Sequence, residues 1–467
     1  MKTTPRLIQL LSADEKIDPH ALLLAEQIAA LPFVQKAVCL PDFHWKATME
    51  APSSFAVATK NHIVPHFSST SLNCGMGLIK TGLFFDEFNK ERIKTFFSYF
   101  RKSQDSKDKY DINQEELLSL LKKGAAFLIG KYHLPAETLG AIESKGNCLK
   151  EDISVSTTDI AKLLHPEDMT DPNYMGLKGL GLGFGGNHFF EMQYVSEVLD
   201  EKTCESIHIH KNEVVFMYHT GGGIIPGFIG GYYARRTKGY VHNLKMVYNK
   251  LRFHFRTTQD ILSFRKKWRY YFSDEKYIAI QADTPEGHKQ KILNEIAMNY
   301  GYGYRMATIA RAREALANST DSSLAGFQLL CDIPHNTIGE EAIDGKTYWV
   351  HRHNACCMQQ GEIGILPGMN NTSSFLIAGG ENGGQFLNTI PHGAGDAVKK
   401  FEKIDERIDP GTTTSKFLDM EKDAKPIEHI GDTGVNSVID TLSKQKLIRP
   451  IARLTPFAVL KDFRPNL

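Results

Sequence analysis

Four short stretches constrain most tightly what this chain can fold into. Each sets a metal-capable side chain beside glycine or asparagine at the end of a strand-like run: Cys74 in LNCGMG, His188 in GGNHFFE, His219 in MYHTGGG and His335 in IPHNTIGEE. A thiolate with three imidazoles is a soft-to-borderline donor set suited to Zn²⁺ or Mn²⁺, and a thiolate can bridge two ions. Consecutive members lie more than thirty residues apart, which matches no zinc-finger spacing. A shared site therefore requires a fold that brings several strand ends back to one place. Taken singly, each residue is more often a packed or hydrogen-bonded residue than a ligand.

The texture around these stretches is mixed. Asp18-Pro19 reads as an N-cap and first helical position for PHALLLAEQIAAL, and VQKAVCLPDFHW as a short strand breaking into a loop. Short apolar runs alternate with Gly, Ser and Asn from 56 to 85, and again from 328 onward. Between them, FNKERIKTFFSYFRK, NQEELLSLLKK and HKQKILNEIAMNYGYGYRMATIARAREALA carry helical periodicity. With 467 residues, no internal repeat and no long linker, the chain reads as one integrated domain spanning 1–467. Helical insertions are expected at about 86–173 and 231–318.

A net charge of +1 excludes a generally polybasic chain. The opening MKTTPRLIQLLSADEKID lacks the apolar core of a signal peptide, and no window nears 18 unbroken apolar residues. The expectation is a cytoplasmic protein with no membrane partner. Seven cysteines without framework spacing read as reduced thiols or a metal ligand. The vicinal Cys356 and Cys357 are not C-x-x-C and read as small buried hydrophobes.

Other catalytic signatures fail. GLGLGFGG does not place G-x-G-x-x-G between a strand and a helix, no serine sits in G-x-S-x-G, and there is no Walker-type loop. From Arg235 to Arg269, eleven Lys or Arg stand against the single acid Asp260, interleaved with aromatics. That segment fits either a solvated helical hairpin or a phosphate-tracking surface with bases stacked on its rings. PHGAGD, Pro391 to Asp396, is equally two-sided. It is either a turn in which Gly393 and Gly395 supply positive φ, or a bare setting for the ring of His392.

In their order, PDFHWK, NCGMGL, GGNHFFEMQ, HTGGG, PHN, HRHNA, LPGMNNTSSFLIAG, PHGAG and ARLTPFAVLKD closely resemble the RtcB family of RNA ligases, from about Cys39 to Lys461. The resemblance implies a single α+β domain with mixed β-sheets around a central metal and nucleotide cleft. It implies Mn²⁺ and GTP, and RNA with 3′-phosphate (or 2′,3′-cyclic phosphate) and 5′-hydroxyl ends, joined through a histidine-GMP intermediate in tRNA splicing or RNA repair. His392 takes the nucleophile's position; imidazole suits it because a neutral nitrogen attacks phosphorus while the P–N bond stays labile. Cys74, His188, His219 and His335 take the positions of metal ligands. Asn187, His188, Phe189, Phe190, Glu191, His335, Asn336, Pro367, Gly368, Met369, Asn370, Ser374, His392, Gly393, Ala394, Gly395 and Lys461 fall where the family binds guanylate.

The departures from the family pattern are as informative. Ser71 replaces an aspartate expected three residues before the cysteine, which removes a carboxylate ligand of a second metal unless Asp42 or His44 completes it. Asp396 follows HGAG where arginine is usual, His353 replaces the lysine of HRKGA, and a Ser-Arg turn is replaced within TGGGII. Arginine would grip RNA phosphates bidentately, whereas Asp396 repels them. The guanylylation half is thus better preserved than the RNA-end half, except for the second metal. Two alternatives follow: guanylyl transfer to another acceptor, or an RNA- or nucleotide-binding protein impaired in turnover. Nothing in the sequence names a helper protein.

Overall fold

The structure, a computed structural model, describes residues 2–3, 6–12, 17–47, 49–69, 71–101, 109–150, 154–164, 177–221, 240–258, 265, 270, 272, 275–402, 405–408, 414–418 and 424–461. The principal strands are β1 (Val34–His44), β2 (Ser53–Thr59), β3 (Gly75–Phe84), β4 (Phe189–Val198) and β5 (Glu213–Thr220). They continue as β6 (Gln328–Pro334), β7 (Asn336–Ile343), β8 (Lys346–His353), β9 (Ala355–Cys357) and β10 (Ile363–Leu366). Last come β11 (Ser374–Gly379), β12 (Thr389–Pro391) and β13 (Ile448–Lys461).

Two mixed sheets result. The larger runs β6-β3-β5-β4-β13-β11-β10, with Thr414–Leu418 and Lys425–Ile427 added beyond β13. Its end strands β6 and β10 lie against each other, so the sheet nearly closes on itself. The smaller runs Lys2–Thr3, Leu7–Gln9, β1, β2, β8, β7. β6 and β7 follow one another through His335 alone, so that residue sits where the chain passes from one sheet to the other. A small β9–β12 pair bridges the junction. The α+β architecture read from the sequence is the one observed.

Local chemistry accounts for the elements. Helix α1 (Pro19–Ala29) starts where the Asp18 carboxylate accepts the N–H groups of His20 and Ala21, as an N-cap should. β1 is longer than the sequence suggests: it continues through Pro41 to His44, where a register shift between Cys39 and His44 and a left-handed Asp42 (φ 65°) absorb the proline. Helices α2 (Lys90–Arg101), α3 (Gln114–Lys123), α4 (Ala125–Lys131) and α5 (Thr157–Leu163) occupy the first helical stretch. Helices α6 (Tyr240–Thr257) and α7 (Pro285–Ala317) occupy the second. Much of the basic 235–269 segment lies outside the described residues.

The 33-residue α7 runs through one hydrophobic core with α2, α3 and α4 packed on it. At about 1.5 Å per residue it spans about 50 Å. One of its turns passes directly beneath residue 73: a Cβ on Gly301 would lie 2.6 Å from the Asn73 carbonyl. A second core fills the nearly closed sheet and helices α8 (Gly395–Phe401) and α9 (Thr433–Lys444).

Candidate functional site

Strand register assembles the site. Antiparallel pairing sets Gly75 opposite both Thr220 and Pro334, Met76 opposite His219, and His219 opposite Phe189. Cys74, His188, His219 and His335 thus occupy one end of four neighbouring strands. Cys74 Sγ lies 3.0 Å from His188 Nε2 and 3.5 Å from His219 Nε2. The donor atoms of these three residues fall within 4.8 Å of one another, a Cys-His-His set that can hold a divalent ion with positions left open. His335 is adjacent rather than a member: its ring centroid is 4.8 Å from that of His219.

Burial sets the protonation states. Desolvation pulls His188 down to about 4 and His219 and His335 well below the usual imidazole range, with neighbouring imidazoles adding to the shift at His219 and His335. All three rings are therefore neutral at pH 7. The same burial pushes the Cys74 thiol up to about 12, so it becomes a thiolate only against a cation. His335 Nδ1 is buried without a partner. Neutral imidazoles, a buried thiol awaiting a positive charge and an orphaned ring nitrogen together fit a divalent metal.

The sequence reading missed what holds Cys74 in place. Asn73 is left-handed (φ 56°), and the fully buried guanidinium of Arg305 fixes it by donating to its carbonyl at 2.5 Å and to its Oδ1 at 2.9 Å. Arg305 also makes a two-pronged pair with Asp332 (2.7 and 2.8 Å), which accepts the Tyr218 hydroxyl at 2.6 Å. Asn73 in turn donates to the Met298 carbonyl on α7.

His392 follows β12, whose pairing with β9 brings it to Asn354. Its backbone N–H and its Nδ1–H both donate to the Asn354 carbonyl, at 3.3 and 3.1 Å. Nδ1 then carries the proton, and Nε2 keeps a lone pair. Burial, then the charge of Lys46, lowers its pKa to about 3, so the ring is neutral. It stands 5.0 Å from His335 and 6.2 Å from His219, centroid to centroid. Neither Gly393 nor Gly395 has positive φ, which removes the turn explanation for PHGAGD. A Cβ on Gly395 would meet nothing within 4 Å, whereas one on Gly393 would lie 3.1 Å from the Pro367 carbonyl.

The guanylate candidates form a chain leading away from His392. The Ala394 N–H donates to Pro367 O (2.9 Å), Gly368 N–H to Ser374 Oγ (3.0 Å), and Gln193 Nε2 to both Ser374 Oγ (3.3 Å) and Glu191 Oε2. Glu191 Oε1 and Gln193 Oε1 are buried without partners. Desolvation raises the Glu191 carboxyl to about 8, opposed by Gln193 and Lys461. Half-buried Met369 and Asn370 flank this chain and Asn187 is exposed. The Lys461 ammonium reaches the carbonyls of Gly186 (3.2 Å) and His188 (2.8 Å), so it braces the loop carrying His188.

Two candidates have side chains engaged elsewhere. Strand alternation turns Phe190 away from His219 into the aromatic core with Phe96, Phe100 and Phe216, so its ring cannot meet a nucleotide, while Phe189 lies edge-on to His219. The Asn336 amide is committed internally: it donates to Ser71 O (3.2 Å) and accepts from Asn354 N (2.9 Å).

The departures have definite places. Among the described residues no carboxylate joins the Cys74 cluster. Asp42 Oδ1 accepts the Ala397 N–H (2.7 Å) and His44 Nδ1 donates to Asp42 O (2.8 Å). His353 is buried and donates from Nδ1 to Pro52 O (2.8 Å); burial, then Lys46, pushes it to about 3. It faces no solvent on which RNA could lie. Asp396 pairs with Lys400 at 2.8 Å. TGGGII beyond Gly221 lies outside the described residues.

Comparison with known proteins follows the same line. The family model described as tRNA-splicing ligase RtcB matches residues 24–462. Similar proteins include the tRNA-splicing ligase RtcB of Methanococcus maripaludis, 25% identical over 81% of this chain and 76% of that protein. Those of Aeropyrum pernix and Nanoarchaeum equitans are each 22% identical, covering 94% and 97% of this chain and 91% and 95% of their own lengths.

Proposed function

The chain belongs to the RtcB family, and from that premise we propose that it is an RNA ligase using GTP and Mn²⁺. On this reading it joins an RNA 3′-phosphate, or a 2′,3′-cyclic phosphate once opened, to a 5′-hydroxyl. The observation that carries the reading is His392: a neutral imidazole with Nδ1 fixed on Asn354 O, so that Nε2 has its lone pair beside a Cys-His-His cluster.

Nε2 attacks the α-phosphorus of GTP, the bond to the bridging oxygen breaks, and pyrophosphate leaves. The imidazole-bound GMP then passes to an oxygen of the RNA 3′-phosphate, restoring the free ring. Attack by the 5′-hydroxyl on that phosphorus forms the phosphodiester and expels GMP. A divalent ion held by Cys74, His188 and His219 would orient the triphosphate and offset charge on its oxygens. Pro367 to Asn370 with His392 to Gly395 cradle the phosphate, and Glu191 with Gln193 present unpaired oxygens to the base edge. Seven cysteines outside any disulfide suit a reducing, cytoplasmic setting, and among the described residues no helix is long and apolar enough to cross a membrane.

Incubation with [α-³²P]GTP and Mn²⁺ followed by a denaturing gel tests this. Wild type takes up label and His392→Ala does not; no label with any divalent metal sinks the reading. The Asp396–Lys400 pair beside His392 favours a second reading, GMP transfer to another acceptor. RNA with 3′-phosphate and 5′-hydroxyl ends separates the two: ligation consumes label as GMP with joined product, whereas the second reading leaves the RNA unjoined.

A further inference from the structure

We propose that Lys46 is a further catalytic residue, whose ammonium binds phosphoryl oxygens of the nucleotide at His392 and supplies positive charge beside the nucleophile. The proposal rests on the reading that His392 accepts GMP.

The geometry begins with the loop from Trp45 to Pro52, which joins β1 to β2. Both of its ends are fastened to the segments that hold His392. Before it, Asp42 Oδ1 accepts the Ala397 N–H of α8, five residues past the histidine, at 2.7 Å. After it, Pro52 O accepts from His353 and Ser53 Oγ accepts from Asn354 Nδ2, each at 2.8 Å. Asn354 is the residue whose carbonyl takes both donors of His392. Both ends of the loop are therefore tied to the segments that hold His392.

Lys46 is the single Lys or Arg between 45 and 52. It is half-buried, and among the described residues its Nζ has neither a hydrogen-bond nor an ion-pair partner. A partly desolvated ammonium without a partner is an unusual thing to keep. The neighbouring carboxylates already have closer company: Asp42 holds the Ala397 N–H and Asp396 holds Lys400. Lys399 faces the ammonium with like charge. The positive field of Lys46 reaches His392, His353, His335 and Cys74, so the ammonium looks onto the whole site.

What this arrangement lacks is an anion, and the reaction supplies one. One divalent ion on Cys74, His188 and His219 offers two charges to a triphosphate that carries more, and no carboxylate among the described residues helps to hold a second ion there. Phosphoryl transfer is catalysed mostly by positioning and charge stabilisation. A compact ammonium with three donors on a flexible stem suits that task.

The test is single-turnover labelling with [α-³²P]GTP and Mn²⁺ in wild type, Lys46→Met and Lys46→Arg, with calorimetric GMP binding to the metal-free proteins and metal content measured alongside. Lys46→Met should slow labelling by about 10²–10³-fold, the range for losing one charge-stabilising donor. Its GMP affinity should fall by about tenfold or more, Lys46→Arg should recover most of both losses, and all three should bind the same amount of metal. Labelling by Lys46→Met within about threefold of wild type overturns the proposal. So does an equal loss in Lys46→Met and Lys46→Arg, or a loss of bound metal, either of which marks a structural role. A wild type that neither takes up label nor binds GMP instead refutes the His392 reading beneath it.

Discussion

Replacing Arg305 by methionine probes the support of the metal centre without touching a metal donor. The guanidinium is fully buried, as is its partner Asp332, and its loss strands a carboxylate whose remaining donor is the Tyr218 hydroxyl. Removing one partner of a buried ion pair costs about 3–5 kcal/mol, most of it the penalty on the charge left behind. Unfolding entropy near 2.1 cal/mol/K per residue gives the 467-residue chain about 1 kcal/mol/K, so the melting temperature should fall by about 3–5 °C. The same change frees Asn73, whose carbonyl and Oδ1 lose their donors and whose left-handed φ then has less to enforce it. Cys74 follows directly, and loss of such outer support typically weakens metal affinity by about 10–100-fold. Differential scanning calorimetry and Co²⁺ titration, reading the thiolate charge-transfer band, measure the two effects. Arg305→Met/Asp332→Leu should regain part of the stability, having no stranded charge, yet none of the metal affinity. A single variant that melts within about 1 °C of wild type and binds Co²⁺ as tightly would refute the clamp.

Two further outcomes follow from burial. His188 and His351 are held near 4 and His353 and His392 near 3 by desolvation, against 6.5 for the free ring. The unfolded chain binds protons that the folded chain refuses between those values, so metal-free stability is complete above about pH 6.5 and declines as pH falls toward 4; a melting temperature that stays flat down to about pH 4.5 would contradict this. Glu191, raised to about 8, holds its proton at pH 7. If it accepts a guanine N–H as carboxylate, GMP binding at pH 7 releases a proton and tightens as pH rises to 8, while Glu191→Gln weakens it by about 10–100-fold. Calorimetry in buffers of different ionisation enthalpy reads the proton, and binding without release argues against that role.

What the sequence made legible was local chemistry and motif order. Asp18-Pro19 announces its helix because capping is decided within four residues. Cys74, His188, His219 and His335 could be suspected because each ends a strand-like run, although strand register alone brings them together. Arg305 could not be read the same way, since its partner Asn73 lies 232 positions away and the pair meets only because α7 passes under that turn. Its one signal was a lone arginine in the small and apolar run NYGYGYRMATIA. Asn354 acts through its backbone carbonyl, which carries no sequence signature. The inward direction of the Phe190 ring was not legible, because a contiguous motif obscures the two-residue alternation that points it into the core.

The central claim is that His392 Nε2 accepts GMP. The most direct measurement is peptide mass spectrometry of the metal-loaded protein after incubation with GTP, with the adduct kept under alkaline conditions. The account predicts GMP on the peptide containing His392, absent in His392→Ala. GMP on a different residue, or no adduct in a protein that binds GTP and metal, would contradict it.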